Sequence, residues 1–445
     1  MPKPHRSAYV FAMLPSGSPV LAGKINVGRV RGTFVYAQSW LSHPARYSLD
    51  PVNLPLKATK FQCDHNQGVF PVFSDAAPDA WGTRILLMRH KAQPNSEVER
   101  LLLTSGRGVG SLQFSLSQSR PKAVSQSQDI SLLTRLYRAA EALDGQGVAD
   151  EEALRLMEPG SSMGGARPKA SIEDNGQHYL AKFSKQTDLV DVPRVEFATM
   201  RLLARTELDV PLVRVEPVGR GRSAYLIERF DMAGDRKSHH YVSAHALFNI
   251  ARHRELPDGR KDPAGYVALA KHIRSHSHES AKDTRQLFLR AFTNIALGNT
   301  DDHARNFGLR YDLCNRHWSL APVFDVLPIV GATGQKQALS LGTHGREPSW
   351  ENLLSCHRSF GLSDREAHAA GRAQLSVLAN WSTVFADHGV SHTNVALLRT
   401  VIEPRLEGLD KAMTATASVD CGLSGYRLDD VGVAPNPAPK RSSTR

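Results

Sequence analysis

The rhythm of apolar and polar positions changes several times along the chain. Ala8-Tyr9-Val10-Phe11-Ala12-Met13-Leu14, the turn Pro15-Ser16-Gly17 and Pro19-Val20-Leu21-Ala22 read as strand, turn, strand. Gly32–Tyr36 adds another strand, so residues 8 to about 75 predict a small β-rich unit. Pro78-Asp79-Ala80-Trp81-Gly82 predicts a helix begun at Pro78 and carried on through 85–88. Gly106-Arg107-Gly108-Val109-Gly110 turns the chain from a helical segment into a strand at 111–114. No Lys-Ser or Lys-Thr follows that glycine run, so it is not a Walker A loop. Residues 115–128, rich in Ser and Gln, predict an exposed linker.

Leu132, Leu133, Leu136, Ala140 and Leu143 then share one helical face. After a glycine-containing stretch, residues 169–172 and 178–183 flank Asp174-Asn175-Gly176, and Asn-Gly is a strong hairpin signal. A helix is predicted over 194–205, with Glu196 in its first turn. A second hairpin, 213–216 with 224–227, turns at Gly219-Arg220-Gly221 and runs into Glu228-Arg229-Phe230-Asp231. From there to about residue 413 the pattern is mostly helical. Its longest amphipathic stretch is 284–297, stopped by Gly298, and Ser363-Asp364-Arg365-Glu366 is a capping box opening another helix. Residues 320–326 read as an apolar strand ending near a lone acid, Asp325. The tail from Ala415 is rich in Ser, Gly and Pro and predicts disorder.

With 445 residues the chain has room for two or three domains. The reading places an N-terminal β-rich unit and linker at 1–128, a strand-rich lobe at 129–235, a helical lobe at 236–413 and a tail at 414–445. The four cysteines form no C-x-x-C pair, so neither a disulfide framework nor a zinc ribbon is indicated. The basic N-terminus is followed by an apolar run too short for a secretory signal, and no stretch is long enough to span a bilayer. A cytoplasmic protein with no membrane contact is expected. The formal charge of +11 suits an anionic partner, but the basic residues are scattered, which argues against direct reading of DNA. His272, His276 and His278 form an H-x-x-x-H-x-H cluster that a solvated polar face explains better than a metal does.

The candidate chemistry sits at Gly298-Asn299-Thr300-Asp301-Asp302-His303-Ala304-Arg305-Asn306-Phe307, a polar loop between apolar segments. Asp301 and Asn306 have the D-x-x-x-x-N spacing in which a kinase base and a magnesium-binding amide occur. Turn capping by Asp301 and a left-handed Asn306 are the structural alternative. Upstream, Ser161-Ser162-Met163-Gly164-Gly165-Ala166-Arg167-Pro168-Lys169 offers bare backbone N–H groups of the kind that cradle phosphate. Lys182 lies between apolar residues, either on the solvent face of an edge strand or facing an anion; Glu196 is its candidate partner or a helix-dipole residue. The order is glycine loop, strand lysine, helix glutamate, strand end, D-x-x-x-x-N and lone Asp325. That is the order of a protein kinase.

These motifs resemble the HipA-type serine/threonine kinases, toxins of toxin–antitoxin pairs, over about residues 8 to 413. The matching stretches are 162–169, Ile227-Glu228-Arg229-Phe230-Asp231, 299–307 and Pro78-Asp79-Ala80-Trp81-Gly82. The resemblance implies an α+β, bilobal protein-kinase-like fold, with an extra N-terminal subdomain, a β-rich lobe and a helical lobe. It implies ATP and Mg2+ as cofactors, with Asp301 as catalytic base and Asn306 and Asp325 holding the metal. Gly164, Gly165, Ala166, Arg167, Pro168 and Lys169 would cover the phosphates, and Lys182 would pair with them. Glu228, Arg229 and Phe230 would line the adenine pocket, and His303, Ala304, Arg305 and Asn306 the phosphate side. Ser162 stands where the family has an autophosphorylated serine, with Ser161 adjacent. Asp-Val-Leu replaces Asp-Phe-Gly, so no Asp-Phe flip is implied. The partners implied are a protein substrate and a small DNA-binding antitoxin, with DNA contact mainly indirect. A small-molecule phosphotransferase and a non-catalytic nucleotide-sensing corepressor are the alternatives.

Overall fold

The computed structural model describes residues 5–28, 31–90, 94, 96–104, 106–124, 127–145, 151–157, 167–250, 264–331 and 335–423. The alternating N-terminal segments become β1 (Ser7–Met13), β2 (Pro19–Val27), β3 (Gly32–Tyr36) and β4 (Lys60–Cys63). Three helices follow: α1 (Pro71–Asp75), α2 (Ala80–His90) and α3 (Glu97–Leu102). β5 (Leu112–Ser115) then returns beside β1. The sheet is antiparallel in the order β4-β3-β2-β1-β5. Its inner face packs Val10, Ile25, Phe34, Phe73 and Phe114. Gly106 and Gly110 both take positive φ, which a side chain would resist, so the glycine run is a turn.

The upper lobe holds β6 (Gln128–Asp129), α4 (Leu133–Asp144), β7 (Lys169–Asp174), β8 (Gln177–Lys182), α5 (Val192–Leu203), β9 (Val213–Gly219) and β10 (Arg222–Glu228). Its sheet order is β6-β7-β8-β10-β9. Asn175 and Gly176 both have positive φ, as a tight β7–β8 turn requires. α5 starts two residues earlier than expected, because Asp191 caps it through Arg194 N and Pro193 suits its first turn. Trp81 and Ile85 of α2 pack into this lobe's core against Leu136, Ala170, Ile172 and Phe183.

The lower lobe is not purely helical. β11 (His239–Ser243), α6 (Ala244–Leu247), α7 (Tyr266–His276) and α8 (Ser280–Leu297) lead into β12 (Gly308–Asp312) and β13 (Trp318–Leu320). β11, β12 and β13 make a three-stranded sheet. The strand expected over 320–326 stops at Leu320, so Asp325 lies in irregular chain. α8 is buried on every side from Gln286 on, not amphipathic. Its polar residues are accommodated because neighbours meet them: Asp283 accepts from Ser277 Oγ at 2.6 Å and from Leu320 N at 2.7 Å. α9 (Asp364–Leu378) opens on the expected capping box. α10 (His392–Leu423) continues past Ala415, where the composition predicted disorder.

Candidate active site

Gly298 ends α8 in the left-handed conformation, φ 70°, and starts the polar loop. The loop is fastened from below. Asp302 is fully buried and accepts from Tyr266 Oη (2.6 Å), Gln337 Nε2 (3.1 Å) and Ala338 N (2.6 Å). Asn294 Nδ2 donates to Tyr266 Oη at 2.9 Å, and Asn299 Nδ2 to Asn294 Oδ1 at 3.0 Å. Burial pushes the Asp302 carboxyl up to about 6. Asp302 therefore holds the loop, while its neighbour Asp301 opens outward and is exposed.

Asn306 donates from Nδ2 to Asp301 O at 3.0 Å. Its other side-chain atom, Oδ1, is buried with no hydrogen-bond partner among the described residues. A buried unpaired carbonyl costs on the order of 1–3 kcal/mol, so an occupant for it is expected. Asp325 stands nearby with φ 60°, a conformation that costs a non-glycine residue about 1–3 kcal/mol. The surrounding packing holds it there: Phe324 stacks on Phe230 with ring centres 6.0 Å apart, and Val323 N donates to Asp209 O at 2.9 Å.

From the upper lobe, β8 supplies Lys182. Its Nζ lies 2.5 Å from Glu196 Oε1 and 2.8 Å from Asp325 Oδ1. Lys182 is thus no solvent-facing edge lysine, and Glu196, buried on α5, is its partner. Burial works against the ammonium, but the two carboxylates raise its pKa. Burial likewise opposes the Asp325 charge, yet Lys182 holds that carboxyl below the usual range. Glu196 goes the other way, raised by burial against the pull of Lys182. Burial and the Asp325 charge raise Asp301.

Arg167, Lys169, Lys182, Asp301, Asn306 and Asp325 line one cavity of about 330 Å³ between the lobes, with Val190, Val192 and Ile329 among its apolar walls. Its other two cations are engaged as well. Arg167 Nη1 sits 2.8 Å from both oxygens of Asp188, and Lys169 Nζ sits 2.5 Å from Asp79 Oδ2. Other expected site residues are not among those that line this cavity. Arg229 Nη2 pairs with Asp231 Oδ2 at 2.7 Å, and its Nη1 donates to Arg107 O at 2.8 Å, which makes it a structural contact of the N-terminal unit. Glu228 ends β10, where its N–H donates to Leu212 O at 2.9 Å. Arg305 Nη2 donates to His245 Nε2 at 3.1 Å, Ala304 is buried, and buried His303 Nδ1 has no hydrogen-bond partner among the described residues. Ser161, Ser162, Gly164, Gly165 and Ala166 lie outside the described residues. The histidine cluster gathers no metal site: among the described residues no group of three or more His, Cys, Asp or Glu side chains could hold an ion. No helix is long and apolar enough to cross a membrane among the described residues.

Comparison with known proteins agrees with this architecture. A "Putative kinase" from Haemophilus influenzae is 28% identical over 184 residues, 38% of this chain and 53% of the relative, so the match spans about half of that protein. "Putative kinase Y4mE" from Sinorhizobium fredii is 24% identical over 332 residues, 69% of this chain and 75% of the relative. Among solved structures, HipA from the Shewanella oneidensis MR-1 toxin–antitoxin complex of HipA, HipB and operator DNA superposes with TM-score 0.67 at 16% identity. That match covers 92% of this chain and 99% of HipA, and it shows a shared fold. Residues 19–115 match the HipA N-terminal domain and 161–381 the HipA-like C-terminal domain. With both domain models matched in that order, the chain belongs to the HipA family.

Proposed function

We propose that the chain is an ATP- and magnesium-dependent kinase that phosphorylates a serine or threonine hydroxyl of a protein. The observation that carries this reading is the ion chain Glu196–Lys182–Asp325, which meets Asn306 and Asp301 at one cavity. Glu196 holds Lys182 at the cavity wall, where an ammonium can face phosphate oxygens. Asp301 is the group that would take the substrate hydroxyl's proton; its raised pKa suits a base. The unpartnered Asn306 Oδ1 and the ionised Asp325 are hard oxygen donors, which fits magnesium. When bound, magnesium would neutralise phosphate charge. Two protein ligands are enough for it, since magnesium usually keeps several waters.

The matches to "Putative kinase" proteins support the reaction class, and the Shewanella oneidensis complex supports a small DNA-binding antitoxin as partner. A toxin that slows growth by phosphorylating a cellular protein, restrained by phosphorylation of its own Ser162, completes the proposal. A phosphate on Ser162 adds nearly two negative charges within the loop expected to wrap the nucleotide phosphates, which would drive that loop away. Purified protein incubated with radiolabelled ATP and a cell lysate tests the reading. Asp301→Asn should keep ATP binding and cut transfer by about a thousandfold or more. Unchanged transfer would remove Asp301 from the chemistry, and mass spectrometry of the same reaction shows whether Ser162 gains phosphate.

A further inference from the structure

The Pro78-Asp79-Ala80-Trp81 motif takes no part in the proposed chemistry, yet it touches the cavity wall. Asp79 Oδ1 caps α2 by accepting from Gly82 N at 2.9 Å, and its Oδ2 takes Lys169 Nζ at 2.5 Å. Both side chains are buried, at 6% and 2% exposure, which makes this a pair that cannot be broken cheaply. Trp81 Nε1 donates to Lys169 O at 3.1 Å. The root of β7, which follows the glycine loop in the sequence, is thus gripped by side chain and backbone together.

Four residues earlier, Asp75 grips the lower lobe. Its carboxylate accepts from Ser243 N at 2.8 Å and from Ser243 Oγ at 2.7 Å. Ser243 in turn caps α6 by accepting from Ala246 N at 3.1 Å. α6 carries His245, which accepts from Arg305 in the loop of Asp301 and Asn306. The segment between the two acids is itself clamped. Arg100 Nη1 donates to Pro78 O at 2.7 Å, and a Cβ on Gly108 would come within 2.1 Å of Ala76 O.

We infer that residues 75–81 are a strut from the N-terminal unit that joins the two lobes, with Asp79 positioning Lys169 and Asp75 positioning the Arg305 loop. Four residues of chain reach at most about 14 Å when fully extended, so the two anchor points cannot separate further while both grips hold. The strut therefore limits how far the cleft opens on this side. Asp79 acts on the phosphate end through Lys169, and Asp75 acts on the reacting end through Ser243, α6 and His245. Neither acid is a catalytic residue.

The consequence for kinetics rests on the kinase reading; the mechanical coupling does not. Hydrogen exchange of the full-length protein without ATP tests the coupling. Asp79→Asn should speed exchange in β7 by about tenfold, and Asp75→Ala should do the same at 243–248 and 304–307. Ser243→Ala is a gentler second variant that should reproduce the Asp75 effect. Exchange changes confined to 71–90 would overturn the strut. With ATP and magnesium, Asp79→Asn should raise KM for ATP about tenfold with kcat within about threefold. Ser243→Ala should lower kcat about tenfold with KM within about twofold. A merely structural role would lower stability without that split, so equal effects on both constants also overturn the proposal. If wild type neither binds nor uses ATP while exchange stays coupled, the strut stands and the kinase reading falls.

Discussion

Two buried lysines sit in ion clusters of opposite balance. At the cleft, Lys182 faces two carboxylates, Glu196 and Asp325. At the junction with the N-terminal unit, Lys237 and Arg229 share one carboxylate, Asp231, with Nζ and Nη2 each 2.7 Å from its Oδ2. The junction cluster is completed by backbone: Lys237 Nζ donates to Gly108 O at 2.5 Å, and Gly110 N donates to Asp231 at 2.9 Å. Asp231 is fully buried, whereas the Asp325 side chain is 32% exposed at a cavity. Lys182 is pushed above the usual lysine range, while burial and the Arg229 charge pull Lys237 down to about 7. An excess of negative charge left open at a cavity suits a cation. An excess of positive charge sealed among carbonyls ties two parts of the fold together.

The sharpest break of this contrast is Lys182→Ala. It should lower phosphoryl transfer by on the order of a hundredfold or more and weaken nucleotide binding by calorimetry, because a positioned cation at the phosphates is lost. Equal affinity would return Lys182 to a packing role. Asp231→Ala should do the opposite. Leaving two buried cations without their carboxylate should cost about 3–5 kcal/mol in urea unfolding, with ATP affinity per folded molecule unchanged. A loss under about 1 kcal/mol would show that the carbonyls suffice. A further test concerns pH. Lys237 titrates near 7 in the folded state and at 10.5 when unfolded, so between those values the unfolded chain binds the extra proton. Stability from this group should rise as pH goes from 7 toward 10.5 and be absent below 7. Lys237→Met should remove that rise, and an unchanged pH slope of unfolding would contradict it.

Part of the candidate site was legible, since Asp301 and Asn306 stand five positions apart on one polar loop and line one cavity. The hairpins announced themselves through Asn175-Gly176 and Gly219-Arg220-Gly221, all at positive φ. Other parts left no local mark. Arg229 read as a residue of the nucleotide pocket because it follows β10, yet its guanidinium turns to carbonyls more than a hundred residues away. Asp302 looked like one letter of a motif, and its network with Tyr266 and Gln337 runs across 36 and 35 positions. The lower lobe is mainly helical, as expected, but the short strands β11, β12 and β13, which pair only through their neighbours, left no local mark.

Periodicity and turn chemistry are local, and by themselves they determined the elements, the hairpins and the order of the chemical groups. How deeply α8 would be buried was open: its sequence shows one apolar face, and only a protein on every side makes Asp283, Gln286 and Asn294 interior residues. The pairing of Lys182 with Asp325 joins positions 143 apart, and that of Asp79 with Lys169 joins positions 90 apart. A lone charge in an apolar stretch says that some partner must exist, since burying it unpaired is too costly. Which partner it is depends on how the lobes and the N-terminal unit come together, and that is a property of the folded chain.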